Sequence, residues 1–355
     1  MLDRLAGVFP FVALVGGLAT AQNVHVVDSA GGGNFFDLPA AISAALPNDV
    51  LLVRTGQYSP FALTKPLAIL GDPGAAILQQ QLGVRVQGIG AGQQVVLRGL
   101  TFSSLPNSLL VEGCDGTVVV ENALAGGVLL ADVAQVALHA VSISTLEVRD
   151  SNLTFVGGST AGFRCERSRV TVTGTTCGGG INLLTPLPGL EVRSGRVVVM
   201  GEASTQIAAG FSYVGSGPAV LVHPGGEFVV DPAVTLLPMR NSPPIVGPSR
   251  TVPMVSLFAS RSAAQVATRT HAPGASQAFL LVGLVRPDVL AFPLPFQDLW
   301  LQAPPALLDS GPLDAQGVRT AAFVAPTLPP GLALAFQAVA LRSGVEVSNA
   351  VITTF

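Results

Sequence analysis

The chain of 355 residues is 49% hydrophobic but only 11% charged, and its formal net charge is −3. A charged share far below the usual value of about 25% leaves Ser, Thr, Gly, Asn and Gln to build the surface. The 18 basic residues, with Lys65 the single lysine, form no patch that could neutralise several phosphates, which argues against a nucleic-acid partner.

The first 21 residues have the form of a secretory signal. Arg4 supplies the positive start, residues 5–18 are apolar apart from the break at Pro10, and Ala19-Thr20-Ala21 is an A-x-A cleavage site before Gln22. An uncut anchor helix is the alternative, but the apolar run is short for a span and ends in small residues. The expected location is therefore secreted or cell-surface. No membrane span is expected once the signal is removed, since no later stretch approaches the ~20 apolar residues a span requires.

Val24, Val26 and Val27 suggest a first short strand, and Gly31-Gly32-Gly33 a turn. One helix follows. Asp37 can cap it, Pro39 sits in its first turn, and Leu38, Ala41, Ile42, Ala45 and Leu46 repeat at helical spacing before Pro47-Asn48-Asp49 ends it. A solenoid exposes its apolar interior at its ends, so this helix is expected to act as an N-terminal cap.

From Val50 an apolar i, i+2 pair recurs: Val50/Leu52, Leu67/Ile69, Val84/Val86, Leu100/Phe102, Val118/Val120, Val136/Leu138, Leu153/Phe155 and Val170/Val172, at steps of 16 to 18 residues. Each pair points to one face of a strand. A second row runs through Val128/Leu130, Leu146/Val148, Phe163/Cys165 and Ile181/Leu183. Strands that return at a fixed short interval predict a parallel β-solenoid. Left-handed hexapeptide helices also have coils of about this length, but their regular hexad is absent, which favours the right-handed form.

The segment 36–71 also carries a resemblance. Phe36-Asp37-Leu38-Pro39-Ala40-Ala41-Ile42, then Ala45-Leu46-Pro47-Asn48-Asp49-Val50-Leu51-Leu52-Val53, Gly56-Gln57-Tyr58 and Leu63-Thr64-Lys65-Pro66-Leu67-Ala68-Ile69-Leu70-Gly71 resemble the opening of pectin-lyase-like right-handed parallel β-helix proteins. Asn48, where that family usually has Gly, and Pro39 depart from its pattern. The resemblance, extended along the repeat over 36–237, implies the fold. It does not imply an activity, because the family includes lyases, hydrolases, epimerases and proteins with none known.

Outward charges on the second row recur with the coil. Glu147 is expected to stack on Arg164, and Arg149 on Glu166, fixing register. The repeat loosens after Gly178, with strands expected again at Leu190/Val192, Val197/Val199, Val220/Val222 and Phe228/Val230 and closure near Leu237. Residues 238–250, rich in Pro, Asn, Ser and Gly, are expected to be a linker. From 251 to 355, six or so apolar runs separated by turns predict a small antiparallel β-sandwich. That segment resembles a C-terminal module found on secreted proteins of environmental bacteria, through Phe279-Leu280-Leu281-Val282-Gly283, Gly331-Leu332-Ala333-Leu334-Ala335-Phe336-Gln337-Ala338 and Ser348-Asn349-Ala350. The resemblance implies surface attachment, and a passive cover for the solenoid is the alternative. The fold class is thus all-β: a helix-capped right-handed parallel β-helix over 22–237, then a linker and the sandwich.

Chemistry is sparse. Solenoid enzymes that cut acidic polysaccharides cluster carboxylates on one face. The nearest approach here is Asp132 and Asp150, 18 residues apart at the turn after the second row, with Asp115 a coil earlier and Arg167 a coil later. Asp132 and Asp150 are the candidate catalytic residues, and Asp115, Asp132 and Asp150 the candidate Ca²⁺ ligands. Asp150-Ser151-Asn152 is equally an ordinary turn in which Asp bonds its own backbone. Cys114, Cys165 and Cys177 match no zinc spacing, and either Cys165–Cys177 pair or all three remain thiols. His25, His139, His223 and His271 have no evident catalytic partner and are expected at the surface. The glycine runs lack a phosphate-loop signature. Trp300, Tyr58 and Tyr213 leave little for a sugar-stacking platform. No cofactor is expected unless the chain is a lyase, when Ca²⁺ would enter. Two readings follow: an exported non-catalytic protein binding glycan or envelope components, or a polysaccharide lyase or glycoside hydrolase acting on an acidic polysaccharide.

Overall fold

The computed structural model describes residues 22–78, 83–180, 187–201, 204–211, 215–262, 265–290, 298–324 and 328–355, without side chains for 287–290. The signal reading of 1–21, the pair Ile181/Leu183 and Tyr213 lie outside the described residues. The chain is nearly all β, with one long solenoid-like parallel sheet followed by two antiparallel sheets.

The parallel sheet is three rows of stacked strands. Row one runs from Val24–Val27 through Val50–Val53 to Ser249–Thr251. Row two runs from Ala62–Leu63 through Val84–Gln87, Phe163–Glu166 and Leu190–Val192 to Ile245–Val246. Row three runs from Gly56–Tyr58 through residues 75–77, 100–102, 141–143 and 158–160 to Thr235–Leu237. Inward side chains of all three rows, such as Leu138, Val148 and Ile143, meet in a single core. The helix Leu38–Ala44 buries Leu38, Ala41 and Ile42 in that core, and Asp37 accepts a hydrogen bond from the Leu38 N–H at 2.9 Å.

From Val118 onward the predicted pairs stack as expected, Val118 on Val136 on Leu153 on Val170. Upstream the register differs. Val50 pairs with Ala68 and Leu51 with Ile69, so the inward pair is Leu51/Val53 and Val50/Leu52 faces out. Val84/Val86 belongs to row two and Leu100/Phe102 to row three. The cause is a strand that is apolar on both sides: when all four residues of 50–53 are apolar, alternation carries no information about which side is inward.

One left-handed residue turns each of two corners. Between rows one and three it is Gly99, Asn122, Ala140, Gly157 (followed by Gly158, also at positive φ), Gly174 and Gly201; at the end of row two it is Gly88, Gly113, Asp132, Asp150 and Arg167. Past Gly178 the coil lengthens, from 17 residues (Leu153 to Val170) to 27 (Val170 to Val197) and 31 (Val197 to Phe228), yet the strands stay in register because the added residues fall between them. The stretch 238–250 is not a plain linker. Ile245–Val246 pairs on row two and Ser249–Thr251 on row one, so the parallel sheet continues past Leu237.

The segment after Thr251 holds nine antiparallel strands among the described residues. Ser256–Arg261, Gln265–His271 and Val318–Val324 form one sheet; the other centres on Gln277–Leu290 and Ala333–Leu341. The two share a core of Leu257, Val266, Leu280, Val282 and Phe336. This module lies on the outer side of row one. Val50, Ala68, Val96, Val119 and Ala137 pack against Leu301, Ala333, Ala335 and Ile352, while Val198 and Val229 pack against Met254. Gly331 (φ +82°) approaches row one closely: a Cβ there would stand 2.4 Å from that of Ala68.

Candidate functional site

The structure places Asp132 and Asp150 on equivalent corners of successive coils. The Val133 N–H, just after one, donates to Ser151 Oγ, just after the other, at 3.0 Å. Both Asp have positive φ, a conformation that Asp adopts more readily than most residues. The position equivalent to Asp132 one coil earlier is Gly113, because Glu112 pairs with Ala131 and Cys114 with Val133; Asp115 lies beyond that column. Arg167 clamps the Asp150 carboxylate with two bonds of 2.7 Å. Hydrogen bonding to Arg167 holds that carboxyl below its ordinary range, the opposite of what a general acid at neutral pH requires. Among the described residues no group of three or more His, Cys, Asp or Glu is placed to hold a metal ion.

Row two carries the predicted charge ladder. Arg164 pairs in register with Glu147 and Glu191, and its guanidinium lies 3.9 Å from the first and 2.9 Å from the second. Arg193 and His223 also reach Glu191, at 3.0 and 3.1 Å. Partial burial pushes the Glu191 carboxyl up, but the bonds from Arg164 and Arg193 outweigh it and hold the carboxyl low. Arg149 is in register with Glu166 as expected, yet its side chain bonds Glu147 on its own strand, at 2.6 Å, and Glu166 turns to Arg167.

His139 corrects the surface expectation. It is buried beneath the C-terminal module with Glu121, its in-register neighbour one coil earlier. His139 Nδ1 lies 3.5 Å from Glu121 Oε1, and Nε2 lies 3.0 Å from the Ala259 carbonyl. Glu121 Oε2 accepts the Thr354 N–H at 2.9 Å as well as the Thr354 hydroxyl. Arg98 donates to the Thr354 carbonyl at 3.0 Å, and Arg261 donates to the same oxygen. Burial pushes the Glu121 carboxyl up, but hydrogen bonding to His139 and Thr354 and the charge interaction with His139 outweigh it, so the group sits below its ordinary value. The cluster fastens the module to the parallel sheet. Its sequence signal was present: an acidic and a basic residue 18 apart, each following an apolar run.

Row three presents a different outer side. Its outward positions are Gln57, Ala76, Thr101, Leu124, Ser142, Ser159, Thr176, Gln206 and Thr235, none charged. An open groove of about 670 Å³ runs along the middle of this row, and among the described residues no Asp, Glu, Lys, Arg or His lines it. Ser159 Oγ donates to Ser142 Oγ at 3.3 Å. The sequence reading passed over this row, although Ser142, Ser159 and Thr176 recur every 17 residues. Neither Trp300 nor Tyr58 lines the groove: Trp300 is buried against row one, and Tyr58 is buried with its hydroxyl donating to the Arg54 carbonyl at 2.8 Å. Cys114, Cys165 and Cys177 are buried free thiols. No protein-family model matches the chain, and no curated protein matches it.

Proposed function

We propose that this chain is an exported, non-catalytic surface or extracellular protein, a right-handed parallel β-helix capped by the helix at Leu38–Ala44 and followed by a β-sandwich module, which binds glycan or other envelope components. The pectin-lyase-like opening at 36–71 supports the handedness, and the apolar face of the helix supports its role as a cap. The observation that carries the binding reading is the uncharged groove on row three, an exposed concave surface with hydroxyls at regular intervals. The Asp150–Arg167 clamp weighs against catalysis at the row-two corner.

The enzyme reading, a lyase or hydrolase acting on an acidic polysaccharide, draws on one observation: Asp132 and Asp150 occupy neighbouring corners, and paired carboxylates about 5 Å apart serve retaining glycosidases. A turnover screen against acidic and neutral polysaccharides, with and without Ca²⁺, separates the two. The binding reading expects no unsaturated products and no new reducing ends. Cleavage that Asp132→Asn abolishes without lowering Tm would establish the enzyme instead.

A further inference from the structure

We infer that the row-three groove takes an uncharged polysaccharide, laid along the stack of coils; this rests on the glycan-binding reading above. The groove reaches from Ala76 to Thr176, six successive outward positions. At roughly 4.8 Å per strand that is about 24 Å, which suits an extended polymer better than a single sugar. Its outer surface combines two kinds of contact. Leu78 and Leu124 are 45% and 54% exposed and offer apolar surface for the C–H faces of sugar rings. The hydroxyls of Thr101, Ser142, Ser159 and Thr176 offer donors and acceptors; each can accept two bonds and donate one, which leaves capacity beyond the Ser159–Ser142 contact.

The absence of charge sets the ligand class. A carboxylate- or sulfate-bearing chain would lose hydration in this groove and meet no cation, a cost that a neutral chain does not incur. The contrast with row two is internal to the fold: there the outward positions include Arg85, Glu147, Arg164 and Glu191.

The test is a pull-down of the mature chain on insoluble neutral glucan, xylan and mannan, with affinity electrophoresis through polygalacturonate as the acidic comparison. Ser159→Arg and Thr176→Arg each place an unpaired cation in the groove from an outward, solvent-reached position, and Tm checks that each variant folds; Arg85→Gln on row two is the control. The expected result is retention on a neutral polymer, changing less than about twofold between 0.05 and 0.5 M salt, and falling about tenfold in either groove variant but not in Arg85→Gln. Neutral binding untouched in both groove variants would place the site elsewhere and overturn this inference while the glycan reading stood. Preferential, salt-sensitive retention by polygalacturonate would overturn the neutral class. No retention on any polymer would remove the glycan reading itself.

Discussion

Rows one and three are built from the same coils and send the same kind of side chain inward, yet they face opposite fates. Row one is apolar on its outer side as well, through Val50, Val96, Val119 and Ala137, and the C-terminal module covers it. Row three carries uncharged outward residues, hydroxyls at Ser142, Ser159 and Thr176 among them, and stays open. The inner pattern specifies the coil. The outer pattern specifies what the coil meets, another sheet or solvent and ligand.

Substitutions can break that comparison. The largest effect is expected from a charge on the inner side. Val136→Asp buries an unpaired carboxylate among stacked coils and should cost about 4 kcal/mol or more, enough to prevent folding. Ser142→Asp, one outward position on row three, should move stability by about 0.5 kcal/mol or less. Comparing the two by circular dichroism and denaturant melts checks the inward and outward assignment; equal effects would sink it.

The next effect concerns what holds the module on row one. Glu121→Ala leaves His139 and the Thr354 N–H without their carboxylate and should cost about 3 kcal/mol. The acid response follows from the direction of its shift. The folded Glu121 carboxyl lies below its ordinary value of 4.5, so its contribution is complete above that pH and is lost as pH falls through the lower folded value. Tm of the native chain should therefore fall more steeply in acid than that of Glu121→Gln. Parallel curves would show that Glu121 does not couple the module to protons.

The smallest effect sharpens the status of the row-two corner. Asp132→Gly relieves a left-handed residue and should leave stability unchanged or raise it by up to about 1 kcal/mol, whereas Asp132→Val should cost about 1–2 kcal/mol. Equal melts for the two variants would mean that the corner does not impose the left-handed conformation. Thiol labelling adds a check on the core. Burial pushes the Cys165 and Cys177 thiols up to about 12, so neither should react at neutral pH until the chain unfolds.

Much of the parallel sheet was legible because period-2 alternation nested in a 17- to 18-residue period is a property of the chain itself. Between Val118 and Val172 those pairs land where the period puts them. The failures fall where one signal served two faces. Val50-Leu51-Leu52-Val53 is apolar throughout because the module lies outside it and the core inside, and no local pattern distinguishes the two. The same cover buries Glu121 and His139, which read locally as outward polar residues. Asp132 and Asp150 read as a carboxylate pair, but their spacing follows from a corner that repeats once per coil.

By itself the sequence determined the coil: its period, its inner side chains and the residue types at its corners, since each depends on neighbours along one strand or one turn. Only the tertiary structure decided which outer side is covered, which histidine is buried and which row stays open. Those outcomes depend on where residues 252–355 come to rest, through contacts more than a hundred residues apart in sequence, such as Thr354 with Glu121 and Ala350 with Thr154.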